Sequence, residues 1–207
     1  MIKRQKSTNQ QGFTIIELMI ATSILSVILV MATIMMTSIG RLYYKGINQV
    51  RVQDNVRSIS EGITQRLQLT NMAVADNTDP TQVKAYCVGK TRYTFVLGSK
   101  LGGIVQHVLW RDTLLSGTCR ASDFTQPGDE LITPNARLTA FSIAGDSPYI
   151  VNIGVAYGDD DLLTNPRGSS DGTRQDAADG TRVQCNGDIG QQFCATAYSV
   201  SVITKRL

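Results

Sequence analysis

One carboxylate near the N-terminus has the most unusual chemical setting in this chain. Glu17 directly precedes residues 18–36, which are 19 residues without a single charge. On insertion scales a carboxylate costs about 2.5–3.5 kcal/mol at mid-bilayer and less near the interface, so we expect it to have a partner. A cut after Gly12 would supply one, because the new ammonium of Phe13 would lie four residues before Glu17 on the same helix face. In an assembly, that ammonium could instead neutralise Glu17 of the next subunit.

The flanking sequence predicts that this carboxylate lies at a membrane surface. At about 1.5 Å per residue, the apolar run is long enough to cross most of a bilayer. Lys3, Arg4 and Lys6 precede it, and no acidic residue occurs before Glu17. This bias predicts a cytoplasmic N-terminus and an exported C-terminal part. The alternative is an ordinary signal anchor, since a secretory signal has an apolar run of only about 7–15 residues before a small-x-small cleavage site.

Residues 11–20, QGFTIIELMI, resemble the processing site of type IV pilins and pseudopilins. In that family a prepilin peptidase cuts after the glycine and N-methylates the new first residue. The resemblance therefore implies cleavage between Gly12 and Phe13, methylation of Phe13, and an assembly role for Glu17. It also implies a single-pass protein of the cytoplasmic (inner) membrane with its C-terminus outside, which later enters an extracellular or periplasmic filament.

The same resemblance implies the partners. These are other pilin or pseudopilin subunits, the prepilin peptidase, an inner-membrane assembly platform and membrane lipid. A second part of the chain resembles J-type minor pseudopilins and W-type minor pilins. It comprises residues 130–134, which run into 137–143, and a closing strand that ends in Lys205 and Arg206. That second resemblance implies a minor subunit near the filament tip. The sequence does not choose between a type IV pilus, type II secretion and DNA uptake.

The charge distribution argues against a nucleic-acid-binding exterior. The net charge of the whole chain is +3, but the leader holds three of the 20 basic residues. Residues 13–207 therefore have 17 basic and 17 acidic residues and no net charge. From residue 71 onward there are 12 basic and 14 acidic residues. Nucleic-acid recognition expects a basic face. The hypothesis of a DNA-capturing tip subunit therefore depends on a local patch of four basic residues: Lys84, Lys90, Arg92 and Arg111.

The length of 207 residues predicts one membrane helix and one small domain. The boundaries we expect are a leader at 1–12, a transmembrane or filament-core helix at 13–39, an amphipathic helix at 40–70 and an exterior β domain at 71–207. Apolar residues recur at helical steps along the third segment, which predicts one buried stripe. The stripe is Val52, Val56, Ile59, Ile63 and Leu67.

The rest of the chain alternates in the manner of strands. After a turn-rich segment at 76–81, the predicted strands are 92–97, 104–110, 137–143, 149–157 and 195–204. Glycines at 98–103 predict a hairpin between the first two strands. A helix followed by strands predicts an α+β fold, in which a long N-terminal helix packs on a C-terminal antiparallel β-sheet, as in pilins.

The four cysteines all lie in the predicted exterior domain. An even number in an exported domain predicts two disulfides among Cys87, Cys119, Cys185 and Cys194. Three pairings are open, and sequential pairing is favoured because short loops close most easily. A zinc site is the weaker alternative, since the chain has no C-x-x-C spacing and His107 is its only histidine.

Residues 158–190 are rich in Asp, Asn and Gly, which are typical of a long solvated loop. Their oxygen content could bind calcium as in some pseudopilins, with Asp159, Asp161 and Asp171 as candidate ligands. The spacing does not fit a twelve-residue calcium loop, so the solvated loop is favoured and no cofactor is expected.

No catalytic constellation appears in the sequence. It contains no G-x-S-x-G, P-loop or H-E-x-x-H motif. His107 falls in a predicted strand without an acid–base partner, and Asp129 and Glu130 fall in a predicted solvated turn. We therefore predict a structural filament subunit and not an enzyme. The alternative from another class is a membrane-anchored exterior binding module, such as an adhesin or a receptor that captures DNA or another ligand, that keeps its leader and never polymerises.

Overall fold

The computed structural model describes residues 12–70, 72–74, 83–102, 105–115, 118–145, 147–164, 183–186 and 190–205. The chain divides into two compact units between Leu42 and Tyr43. One helix and ten strands are assigned: α1 Ile15–Leu67, β1 Met72–Val74, β2 Lys84–Val88, β3 Thr91–Phe95, β4 Leu109–Thr113, β5 Gly128–Glu130, β6 Ala136–Ala144, β7 Tyr149–Tyr157, β8 Leu163–Thr164, β9 Gln184–Cys185 and β10 Ala195–Ile203.

The first unit contains the apolar part of α1. Its large hydrophobic side chains, from Phe13 to Leu42, are all exposed. By length and composition α1 can cross a membrane, and it is the one such helix among the described residues. An apolar surface of this extent marks a region that contacts lipid or other subunits.

In the second unit, the remainder of α1 buries one face. The buried positions are Asn48, Val52, Val56, Ile59, Ser60, Ile63 and Leu67. They include all five members of the predicted stripe, so the helical periodicity is confirmed. The helix ends at Leu67, three residues before the predicted end at residue 70.

The strands form antiparallel sheets around that helix face. A five-stranded sheet has the order β1-β2-β3-β4-β5, a three-stranded sheet has the order β10-β7-β6, and β8 pairs with β9. The stripe of α1 shares one hydrophobic core with residues of both larger sheets, including Tyr93, Phe95, Leu138 and Ile153. The predicted α+β fold, with a long N-terminal helix on antiparallel sheets, is confirmed.

Two details of the sheets differ from the sequence prediction. The predicted strand 104–110 is wrong, because β4 begins at Leu109 and runs to Thr113. At the start of β4, the Glu130 carboxylate accepts hydrogen bonds from the N–H groups of Val108 and Leu109, at 3.0 and 2.8 Å. The predicted hairpin is confirmed, because β3 and β4 are consecutive, neighbouring antiparallel strands, but its connection is longer than predicted. Within that connection, Lys100 forms a β-bridge with Arg137 of β6. Strands β1, β2, β5, β8 and β9 were not predicted.

A β-bulge shifts the alternation of β6. The pairing of β6 with β7 slips between Leu138 and Ala140, leaving Thr139 as the extra residue. Leu138 and Phe141 are therefore both buried, although strict alternation would place them on opposite faces.

Candidate processing and assembly site

The predicted cleavage bond lies just outside the helix. Gly12, Phe13 and Thr14 are exposed and non-helical, and Phe13 is 87% exposed. Helix α1 begins one residue after Thr14. A protease needs an accessible backbone outside regular secondary structure, and the Gly12–Phe13 bond has both properties because the helix starts after it.

Thr14 and Glu17 fix this helix start through reciprocal hydrogen bonds. The N–H and the hydroxyl of Thr14 donate to Glu17 Oε2 at 2.9 and 2.7 Å, and the N–H of Glu17 donates to Thr14 Oγ1 at 3.3 Å. This is a capping box, in which a Thr at the N-cap and a Glu three residues later satisfy two otherwise unpaired N–H groups. The carboxylate is thus held at the first turn, where the helix dipole also favours an anion.

The sequence analysis missed the role of Thr14. The T-x-x-E spacing of Thr14 and Glu17 was visible in the sequence and is the usual signature of a capping box. Glu17 was interpreted only as a charge in need of an ammonium partner. In the uncut chain its partner is Thr14, and the predicted contact with a new Phe13 ammonium concerns the processed chain.

Comparison with family models identifies this region. Residues 7–33 carry the prokaryotic N-terminal methylation motif. The match spans the leader end, Gly12, Phe13, Glu17 and most of the apolar run. The motif implies processing by a prepilin peptidase and assembly with pilin subunits, and together with the apolar helix it fits membrane anchoring and an extracellular filament. Comparisons with curated proteins and with solved structures gave no match for the chain.

Two disulfides cross-link the second unit of the chain. Cys87 of β2 pairs with Cys119, and Cys185 of β9 pairs with Cys194, directly before β10. These are the sequential pairs that loop closure favours. The four cysteines are consistent with the export that the N-terminal motif implies, since disulfides persist in oxidising compartments.

The two disulfides should differ in their contribution to stability. Cys87–Cys119 closes a separation of 32 residues and Cys185–Cys194 one of 9. On the loop-entropy model, removing the first should lower the free energy of unfolding by about 3.5 kcal/mol and removing the second by about 2.5 kcal/mol. Urea unfolding of the paired Cys→Ser variants measures this, and a larger loss from the shorter loop would contradict the entropic explanation.

A buried ion pair holds β3 to β4. Arg92 Nε and Nη2 donate to the two carboxylate oxygens of Asp112 at 2.9 and 2.5 Å. The Ser122 hydroxyl also donates to Asp112, at 2.7 Å, and the Arg92 guanidinium donates to the carbonyl of Arg120 at 3.3 Å. The hydrogen bond to Asp112 raises the pKa of Arg92 above its ordinary value. The Arg92 guanidinium therefore stays charged, and its hydrogen bond to Arg120 fixes the segment that follows Cys119.

This pairing weakens the basic patch predicted for DNA capture. Of its four cations, Arg92 is buried against Asp112, and Arg111 pairs with Asp129 at 2.5 Å. Lys84 and Lys90 remain. Two lysines offer a much smaller phosphate-binding surface than the four cations counted in the sequence.

The calcium candidates are not brought together in the described residues. Asp159 and Asp161 are both exposed and flank Asp160, while Asp171 lies outside the described residues. The Asp160 carboxylate contacts Lys100 at 3.1 Å and also pairs with Arg137. Burial lowers the pKa of Arg137, and Asp160 opposes that shift. Among described side chains, no three of His, Cys, Asp or Glu are close enough to hold a metal.

His107 and Glu130 differ from their predicted settings. Glu130 lies in β5 with its side chain 15% exposed, so the prediction of a solvated turn is wrong for this residue. Its carboxylate also lies 3.4 Å from His107 Nδ1. The His107 ring packs against Trp110 and Phe124, with centroid distances of 4.1 and 4.6 Å. The aromatic contacts and the strand-end hydrogen bonds of Glu130 give this cluster a structural explanation.

Proposed function

We propose that this chain is a minor subunit of a type IV pilus or a type II secretion pseudopilus. It is made as a precursor, inserted in the cytoplasmic membrane with its C-terminal domain outside, cut between Gly12 and Phe13 and methylated on Phe13. It then assembles through its N-terminal helix into a thin filament, near the tip. A separate motor ATPase supplies the force that extracts it from lipid.

The observation that carries this proposal is the coincidence of motif and geometry at one point. The methylation motif spans residues 7–33, and within it the Gly12–Phe13 bond lies directly before a capped helix whose next two dozen residues expose apolar side chains. The resemblance of residues 130–143 and of the closing strand to J-type and W-type subunits supports the minor role.

The proposed role involves no catalysis and no cofactor. Its chemistry is limited to being a substrate of the prepilin peptidase and to pairing Glu17 with an ammonium during assembly. The exterior domain supplies contacts to other subunits, and its disulfides and buried ion pair keep it folded outside the cell. The alternative of an anchored binding module requires the leader to stay attached.

Mass spectrometry of the native protein distinguishes these functions. We expect the chain to begin at N-methylated Phe13 when it is isolated from cells that contain a prepilin peptidase. Cells that lack the peptidase should retain Met1 and the leader, which is the matched control. A chain that keeps its leader in the presence of the peptidase, or that begins at another residue, would contradict the proposal.

A further inference from the structure

An exposed aromatic patch lies where the second unit of the chain begins. It consists of Tyr43, Tyr44 and Phe193, which are 66%, 53% and 46% exposed. The centroid of the Tyr44 ring lies 5.8 Å from that of Phe193 and 6.2 Å from that of Tyr43. Because Phe193 is distant from the two tyrosines in the sequence, the fold of the β domain brings it to this position on α1.

Hydrogen bonds between α1 and the segment around Phe193 hold this ring in the patch. Asn48 Nδ2 donates to the carbonyl of Gln192 at 3.2 Å. Gln49 Nε2 donates to the carbonyl of Thr196 at 3.1 Å. The segment is thus fixed to the helix on both sides of Phe193, and yet the apolar ring stays half-exposed. Apolar rings that are held at a surface in this way are typical of a contact site.

The position of the patch in the chain is that of a membrane surface. Helix α1 can cross a membrane, and residues 18–40 carry no charge. As a helix these residues extend about 35 Å, whereas the hydrocarbon core of a bilayer is about 30 Å thick. Tyr43 and Tyr44 follow shortly after this run, in the head-group region, where aromatic residues are enriched in membrane proteins. Phe193 contacts Tyr44 and therefore lies in the same region.

The charges beside the patch favour lipid over a second copy of the chain. Arg41 and Lys45 flank the two tyrosines and are exposed, and neither pairs with a carboxylate within the described structure. No acidic residue occurs between Glu17 and Asp54. Two copies that met through this patch would bring cations together without a carboxylate, whereas anionic lipid offers phosphates to both.

The undescribed segments that follow α1 offer little apolar surface to cover the patch. The two longest, 75–82 and 165–182, contain no aromatic residue and no Leu, Ile, Val or Met. A membrane supplies both acyl chains that pack on the rings and phosphates that pair with the cations. Lipid is therefore the occupant that matches the composition of the patch.

We propose that Tyr43, Tyr44 and Phe193 insert into the head-group region of a membrane that contains anionic lipid, with Arg41 and Lys45 on the lipid phosphates. Tyrosine suits this depth because its ring is apolar and its hydroxyl reaches water. Phe193 gives the β domain a second contact with the membrane besides its covalent link to α1. The contact itself depends only on the insertion of α1. The assignment to the outer leaflet of the cytoplasmic membrane rests on the proposed function.

Photo-cross-linking to lipid tests this contact in the full chain. Benzoylphenylalanine replaces Phe193, or Phe124 as the matched control, and each chain is reconstituted in vesicles of phosphatidylethanolamine and phosphatidylglycerol. Phe124 is 39% exposed, but its ring contacts are with His107 and Trp110. Both replacements keep an aromatic ring, and the fluorescence of Trp110 checks folding. We expect at least about tenfold more lipid adduct from position 193 than from position 124.

The mass of the adduct identifies the lipid and tests the two cations. We expect phosphatidylglycerol to form at least about twice the share of the adducts that it forms of the vesicle. In the double variant Arg41→Gln, Lys45→Gln its share should fall to that of the vesicle, because glutamine keeps a polar side chain but removes the charge. An unchanged share in this variant would overturn the role given to Arg41 and Lys45.

Three results would overturn the membrane contact. They are no lipid adduct from position 193, equal yields from positions 193 and 124, and an adduct between two copies of the chain as the main product. If Phe13 processing fails while the lipid adduct forms, the proposed function is wrong and the membrane contact stands. If processing occurs and no lipid adduct forms, the membrane contact is wrong and the proposed function stands.

Discussion

Replacing Glu17 by glutamine should leave the chain in the membrane and prevent its incorporation into filaments. Glutamine removes the charge but keeps the acceptor of the capping box, so the helix start is preserved. In a filament the Phe13 ammonium of an adjacent subunit would then be buried without its counter-ion. An unpaired buried charge costs about 3–5 kcal/mol, which is a loss of more than about a hundredfold in the association constant. Glu17→Ala should impair assembly in the same way, also without affecting membrane insertion.

Thr14→Ala is the matched control for this prediction. It removes the hydroxyl that accepts from and donates to Glu17, at a cost of about 1 kcal/mol in helix stability, but leaves the carboxylate in place. We expect Thr14→Ala to assemble at near-normal levels, whereas Glu17→Gln does not. Membrane fractionation, N-terminal mass spectrometry and immunoblotting of sheared filaments measure insertion, processing and assembly separately. Normal assembly of Glu17→Gln together with a loss in Thr14→Ala would show that Glu17 acts only as a helix cap.

The features predicted correctly from the sequence depend on local spacing. Val52 to Leu67 recur at helical steps, and a helix that packs on a sheet must bury such a stripe. The sequential disulfides follow a similarly local rule, since chain segments close in sequence meet most easily. The roles of Gly12, Phe13 and Glu17 were predicted in the same way, from residue types at fixed spacing; they stay predictions, and the matched motif at residues 7–33 includes all three positions.

The features that were missed depend on distant partners. The Glu130 carboxylate, 21 residues further along the chain, accepts a hydrogen bond from the N–H of Leu109, the first residue of β4. Alternation alone extended the predicted strand back to residue 104. The same limit applies to Arg92, which was counted as a surface cation although it pairs with Asp112 across β3 and β4. A sequence pattern gives only the types of residues and their spacing. The contacts of Glu130 and Arg92 can be predicted only when the register of the sheet is known.

That buried pair gives the largest stability effect we expect outside the membrane segment. Asp112→Ala should lower the free energy of unfolding by about 3–5 kcal/mol, because it leaves the Arg92 guanidinium buried without a carboxylate. The Asp112 side chain is fully buried and that of Arg92 is 11% exposed. A whole domain is usually stable by only about 5–15 kcal/mol, so this loss is a large part of the total.

The neighbouring pair of β4 and β5 supplies the matched control. Arg111 and Asp129 also face each other across two strands, but their side chains are 33% and 65% exposed. Asp129→Ala should therefore cost no more than about 1 kcal/mol, since water screens an exposed pair. Urea unfolding of the full chain in mild detergent, followed by the fluorescence of its single tryptophan, Trp110, measures both variants. Similar losses would show that burial does not decide the strength of the Arg92–Asp112 pair, whereas the expected difference would assign the stability of this part of the β domain to the buried charges.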